Sequence, residues 1–417
     1  MPRIIKPTLF VFLICITVLM RDASGQEWPQ YRGPDATGQL SSVELSLGSG
    51  KLKTHWRVPS SLGFSSFSIA GGKALTLIAR DGQEFCIALD AETGKEIWAT
   101  ALGASEYGHK GGNAGAQGNK GGDGPRSTPS IAGDRVYVYD AHQHLFCLSL
   151  ETGDKLWDHN VLKEYGGKAI KWKSAMSPLL DDSLLYVAGG GADHAFMAFE
   201  QDSGKLVWHS GTEGLTHASP SFAEINGQKQ IVFFMQSGLV AVDRKTGREI
   251  WRSDFPFDVS TAASPIINDQ RIYASAGYGV GAGLYEIDDS NKPNEIWRKP
   301  NRLINHWSSP VLRDGYLFGM YDFKRYGKAP LQCVEFATGE IKWKQAGYGQ
   351  GNCIIIGDKV IALSDSGELA IVSATAEKYD ELWREKLLDG KCWSTPAFSN
   401  GRIYLRSTKE AVCVSFE

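Results

Sequence analysis

Seven residues of this 417-residue chain fall where one strand-like stretch hands over to the next: Arg126, Lys173, His217, His306, Trp307, Lys391 and Trp393. Each lies just ahead of a short segment of Ser-x-Pro type, so the seven are expected to gather at one mouth of whatever the strands build. Cations beside indole rings suit an anionic, planar or peptide ligand, because aromatic faces attract positive charge and cationic groups hold carboxylates. The plainer account of the same residues is a set of solvated loops with two tryptophans packed for structure. Catalysis needs a nucleophile, a base and an orienting acid, and spacing alone assembles no such trio, so no catalytic residue is assigned. The neighbouring acids Glu106, Asp123, Glu213, Asp254 and Asp258 are scattered over separate stretches. That is a poor start for calcium, which takes six or more oxygens.

Other chemistry-bearing groups read as architecture. His142 and His144 offer two imidazoles on one side of a strand, which do not make a zinc site. Asp181-Asp182 and Asp288-Asp289 fall in turns without the spacing of a calcium loop. Gly277, Gly279, Gly281 and Gly283 match no G-x-G-x-x-G. The glycine-rich stretch from Ser105 to Gly124 reads either as a flap over the mouth, touching with Tyr107, His109 and Lys110, or as an insertion without chemistry. Metal ligation is therefore not assigned to any residue.

At the start of the chain, Arg3 and Lys6 precede an apolar run from Leu9 to Met20 and the small residues Ala23-Ser24-Gly25, the pattern of a secretory leader cut before Gln26. So short a run does not span a bilayer, and glutamine rather than cysteine follows the cut. A non-acylated, monomeric protein without a transmembrane anchor, periplasmic or secreted, is expected. In such a compartment disulfides persist. Cys147, Cys333 and Cys413 share one column of a repeat and Cys86 faces the same side, so these read as small buried positions. A bridge between Cys353 and Cys392 stays open. The formal net charge of -3, with no lysine or arginine run, argues against nucleic acid as a partner.

The elements that position these groups come from that repeat. Tryptophan recurs in near-identical settings, TGKEIW, TGDKLW, SGKLVW, TGREIW and TGEIKW, ending at Trp98, Trp157, Trp208, Trp251 and Trp343. Looser copies end at Trp56, Trp297 and Trp383. The mean spacing is about 47 residues, the length of a four-stranded propeller blade. Each period offers a Ser-x-Pro lead-in, alternating strands such as Arg135 to Tyr139, a Thr-Gly turn and the tryptophan strand. Residues 394 to 417 stop one strand short, whereas 52 to 58 hold a tryptophan strand with no blade before it. Pairing the two closes a ring of eight blades and hides two strand edges. The expected organisation is a leader at 1–25, a strap at 26–51 and an all-β, eight-bladed propeller of four-stranded antiparallel blades at 52–417.

The pattern Ala-x-(Asp/Glu)-x-x-(Thr/Ser)-Gly-x-x-x-Trp, at Ala88 to Trp98, Ala198 to Trp208 and Ala241 to Trp251, resembles the tryptophan-docking motif of the pyrroloquinoline quinone (PQQ) repeat. The segment WPQYRGPDATG at 28–38 is similar to the opening of exported bacterial proteins of that quinoprotein-like family. The resemblance implies one of two branches: dehydrogenases holding PQQ and calcium over the mouth, or scaffolds similar to the barrel-assembly lipoprotein. The adjacent cysteine pair common in the alcohol-oxidising branch does not occur here, nor does the scaffold's acylated cysteine. The expectation is a binding or assembly module without a cofactor, taking a protein or small-molecule ligand at the mouth. The alternative is a PQQ-dependent alcohol or sugar dehydrogenase using PQQ and calcium.

Overall fold

A computed structural model describes residues 26–107, 122–322 and 324–417. They form eight sheets, each with four antiparallel strands in up-and-down order. Blades 1 to 7 cover 68–104, 130–160, 179–210, 221–254, 266–299, 311–345 and 352–386. Blade 8 takes three strands from 397–416 and its outer strand from Leu52–Pro59, with Trp56 opposite Cys413. The chain is thus an all-β eight-bladed propeller, closed by its N-terminal tryptophan strand. The one helical turn among the described residues, Val161–Glu164, is capped by the Asn160 side chain.

The strands differ by depth. Val136 to Tyr139 in blade 2 and Val360 to Leu363 in blade 7 are buried at every position. Neighbouring blades cover both faces of these strands, so they read as continuous apolar runs, and the expected alternation from Arg135 to Tyr139 is not found. Outer strands have one free face: Trp98 is buried while Ile97 beside it is 46% exposed.

The outer-strand indoles cross to the next blade. Trp56 donates to the Ala91 carbonyl at 3.0 Å, Trp98 to Leu150 at 3.0 Å, Trp208 to Arg244 at 3.0 Å and Trp343 to Thr375 at 2.8 Å. The receiving carbonyls of Ala91, Leu150 and Arg244 lie just before that blade's Thr-Gly turn. Gly94 and Gly247 have positive φ, and a Cβ on either would come within 2.7 and 2.2 Å of the arriving ring. Glycine therefore serves both the turn and the space for the neighbour's tryptophan. Two copies depart: Trp251 donates to Gln230 Oε1 at 2.7 Å within its own blade, and Trp383 packs edge-on against Phe416.

The segment before Leu52 threads the ring. Ser399 of blade 8 donates to the Gln26 carbonyl, Trp28 bridges Ile69 of blade 1, and the Ile131 amide of blade 2 donates to the Pro29 carbonyl. The Arg32 guanidinium donates to the Ser309 and Pro310 carbonyls at blade 6. Gln39–Leu40 then adds a parallel fifth strand on the inner side of blade 7. These contacts run along the inner strands, and Arg32 reaches the blade 6 lead-in next to His306 and Trp307.

The cysteines answer a question the sequence leaves open. All six described cysteines are free and buried, so the bridge left open between Cys353 and Cys392 is not formed. Their thiols turn toward separate backbone carbonyls, those of Phe318 and Gly390.

Candidate binding site at the propeller mouth

The loops leading into the inner strands are tied to one another. The Thr395 amide donates to Ser66 Oγ, Ser66 to Thr128 Oγ1, Thr128 to Ser177 Oγ and Ser177 to Ser219 Oγ, at 2.8 to 3.1 Å. This relay runs from blade 8 through blade 4 and accounts for the hydroxyl residues of the Ser-x-Pro segments. Side chains just ahead of it are thereby fixed around one opening.

Inside that opening lies a cavity of about 310 Å³, and five of the seven candidate residues line it: Arg126, His217, His306, Trp307 and Trp393. Trp307 and Trp393 sit with ring centroids 4.3 Å apart, and Phe64 packs on Trp393 at 4.8 Å. Lys391 does not line the cavity but holds its ammonium over the Trp393 ring at 4.5 Å. Lys173 stays outside. Its neighbour Trp172 is the residue that reaches in, with the Lys171 ammonium 4.5 Å from its ring centre. His109 and Lys110 lie outside the described residues.

Sequence reasoning missed Tyr31, Phe64, Trp172, Tyr278 and Lys324, all of which line the cavity. Tyr31 comes from the strap, outside the repeat, which no spacing rule foretells. Trp172, Tyr278 and Lys324 have φ of +63°, +55° and +52°. Left-handed backbone at a non-glycine residue costs on the order of 1 kcal/mol or more and persists only where its surroundings enforce it. Arg126 Nη1 donates to the Trp172 carbonyl at 3.0 Å and His217 Nε2 to the Lys171 carbonyl at 2.9 Å, which braces that bend.

Electrostatically the cavity is one-sided. Burial lowers the pKa of His217 to about 4 and that of His306 to about 3, so both imidazoles are neutral at pH 7. His217 Nδ1 accepts from Ser260 Oγ at 3.2 Å. The Trp393 indole N–H is buried with no acceptor among the described residues. No lining residue is aspartate or glutamate. Asp365, close behind Lys391, spends its carboxylate on the amides of Gln350 and Gly327. The opening thus presents N–H donors, cations and ring faces, and calls for a ligand with acceptors.

The PQQ_2 family model, described as outer membrane protein assembly factor BamB, matches residues 51–160 and 83–345. The chain belongs to that family. Among PQQ_2 relatives, outer membrane protein assembly factor BamB of Shewanella oneidensis is 22% identical over 305 residues, 69% of this chain. The chain spans 66% of that relative's length. Two solved structures share the propeller fold. The quinohemoprotein alcohol dehydrogenase from Comamonas testosteroni has a TM-score of 0.64 at 13% identity, covering 94% of this chain and 81% of its own. The computationally designed Ika8 protein has a TM-score of 0.58 at 12% identity, covering 88% and 100%. Likeness at that level is a likeness of fold.

The PQQ branch of the fold can be tested on these residues. Calcium takes six to eight oxygens, with carboxylates prominent among them. The lining offers serine and threonine hydroxyls and no carboxylate, and no cluster of three or more His, Cys, Asp or Glu among the described residues could hold a metal. The mouth does not fit a calcium-bound quinone.

Proposed function

We propose that this chain is an exported binding module for protein assembly, whose propeller mouth captures an acidic, aromatic-bearing segment of a partner protein or a small anionic ligand. The observation that carries this reading is the lining itself: three tryptophans, Arg126 and Lys324, with Lys391 behind Trp393 and no carboxylate. Rings held rigidly by packing lose little entropy on binding, and cations beside them select negative charge. The PQQ_2 relative named as an outer membrane assembly factor supports a protein partner. The leader-like pattern at 1–25 supports export. Among the described residues no helix is long and apolar enough to cross a membrane.

Titration of tryptophan fluorescence with a short peptide rich in aspartate and phenylalanine tests the reading, with a lysine-for-aspartate peptide as control. Saturable quenching by the acidic peptide alone is expected, and equal response to both overturns the charge selection. The alternative oxidoreductase is tested by adding PQQ with calcium, an alcohol or sugar and a dye acceptor. Tight calcium-dependent binding with turnover would replace the binding-module reading.

A further inference from the structure

A second cluster lies at the seam between blades 1 and 2, beside the mouth. Glu84, on the third strand of blade 1, and Asp140, just past the second strand of blade 2, are 0% and 1% exposed. Both carboxyls grip one turn. Glu84 Oε2 accepts from the Ala141 amide at 3.3 Å, and Asp140 Oδ1 accepts from the His142 and His144 amides at 2.8 Å each. The Tyr107 hydroxyl donates to Glu84 Oε1, while Asp140 Oδ2 has no hydrogen-bond partner among the described residues.

The groups around the pair are engaged elsewhere. His144 pairs with Asp158 at 2.6 Å, His142 meets the Ala104 carbonyl at 2.7 Å, and the Tyr139 hydroxyl donates to Ala188. Arg126 lies 5.3 Å over the Tyr107 ring rather than on a carboxylate. Two neighbouring carboxylates in a dry site, with Arg126 acting on Glu84 and no ion pair to either among the described residues, do not both ionise at modest cost. Burial first, then Asp140, pushes Glu84 up to about 8, and burial raises Asp140 as well.

We propose that Glu84 and Asp140 hold one proton between them at neutral pH, and that its loss tightens Tyr107 onto Glu84, draws Arg126 toward the seam and weakens capture at the mouth. Tyr107 is the joint, bonded to Glu84 through its hydroxyl and supporting Arg126 with its ring. The clause about capture rests on the binding reading above; the shared proton and the tightening of Tyr107 do not.

Infrared spectroscopy of the mature chain tests the proton directly. A band from a buried protonated carboxyl is expected at neutral pH and should vanish as pH rises past about 8. It should be lost in Glu84→Gln and titrate at lower pH in Asp140→Asn, where burial still raises Glu84 but the neighbouring charge is gone. Its absence from the wild type at neutral pH overturns the proposal, whether or not either variant folds. Amide exchange at 104–107, corrected for intrinsic rates, should slow about tenfold above that pH in the wild type and stay flat in Glu84→Gln. Equal behaviour in both overturns the tightening of Tyr107. Titration with the acidic peptide on either side of the transition tests the last step. Flat binding beside a titrating pair overturns the coupling to the mouth and leaves the proton assignment standing.

Discussion

The seams between blades and the mouth at the centre of the ring both bury large aromatic side chains, by opposite means. At a seam, one indole meets one Thr-Gly turn, and most blades repeat the contact with the same donor, the same kind of carbonyl and the same glycine. At the mouth the hydroxyl relay repeats but the aromatic contacts do not: Trp172 stands on left-handed backbone, Trp393 on an inner-strand lead-in beside Phe64, and Tyr31 on a strap from outside the repeat. Repetition gives the ring its stability, and its absence lets the mouth be shaped for one ligand. Damage to a seam should therefore cost folding, and damage to the mouth should cost binding.

The largest effect is expected at the closing seam. Trp56 is 5% exposed, bonded to Ala91 and packed against Phe67 and Tyr404. Trp56→Ala should cost about 3 to 5 kcal/mol in urea denaturation. Trp383, half-buried against Phe416, should cost about 1 to 2 kcal/mol on the same change. Equal losses would show that the seams are not graded by burial. Next comes the strap, where Arg32 is 2% exposed and donates to carbonyls of both strap and blade 6. Arg32→Met strands those carbonyls and should cost about 2 to 3 kcal/mol.

How much of this the sequence disclosed follows from the same contrast. Eight blades, their order and the closing strand were legible because TG-x-x-x-W recurs and its physical reason is local: a turn, then a ring at fixed reach. The mouth was half legible, since the Ser-x-Pro lead-ins pointed to Arg126, His217, His306, Trp307 and Trp393. Lys173 and Trp172 show the limit. Adjacent residues face opposite ways when both take positive φ, and no periodicity reveals a left-handed pair. Tyr31 was hidden for another reason, because the strap's path is fixed by contacts with distant blades such as Arg32 to Ser309. Glu84 and Asp140 look like ordinary polar positions of a hairpin until the seam closes over them.

A third, smaller effect uses pH to separate the two regions. His217 and His306 bind protons less readily folded than unfolded, their values falling from 6.5 to about 4 and about 3. The unfolded chain therefore holds more protons between about 4 and 6.5, and stability falls as pH drops through that window. By about pH 5 each imidazole should cost about 1 to 2 kcal/mol. Denaturation of His217→Asn and His306→Asn at both pH values should show the acid slope reduced in each. An unchanged slope would place the acid sensitivity in the seams instead.

The smallest effect on stability, and the sharpest test of the contrast, is expected at Lys324. It is exposed, lines the cavity and sets its ammonium 4.5 Å above the Tyr278 ring. Lys324→Gln keeps a side chain of similar reach on the same left-handed backbone and removes only the charge, so unfolding should shift by no more than about 0.5 kcal/mol. Binding of the acidic aromatic peptide should weaken about tenfold, which corresponds to about 1.4 kcal/mol. The residual affinity should also depend less on salt, because one of the cations that draws the ligand in is gone. A peptide with asparagine in place of aspartate should bind wild type and variant alike. If both peptides weaken together, Lys324 acts by holding Tyr278 in place rather than by its charge, and the mouth is selecting for shape alone. If neither weakens while Trp56→Ala abolishes binding, the ligand is recognised by the folded ring at large, and the division of labour between seam and mouth fails.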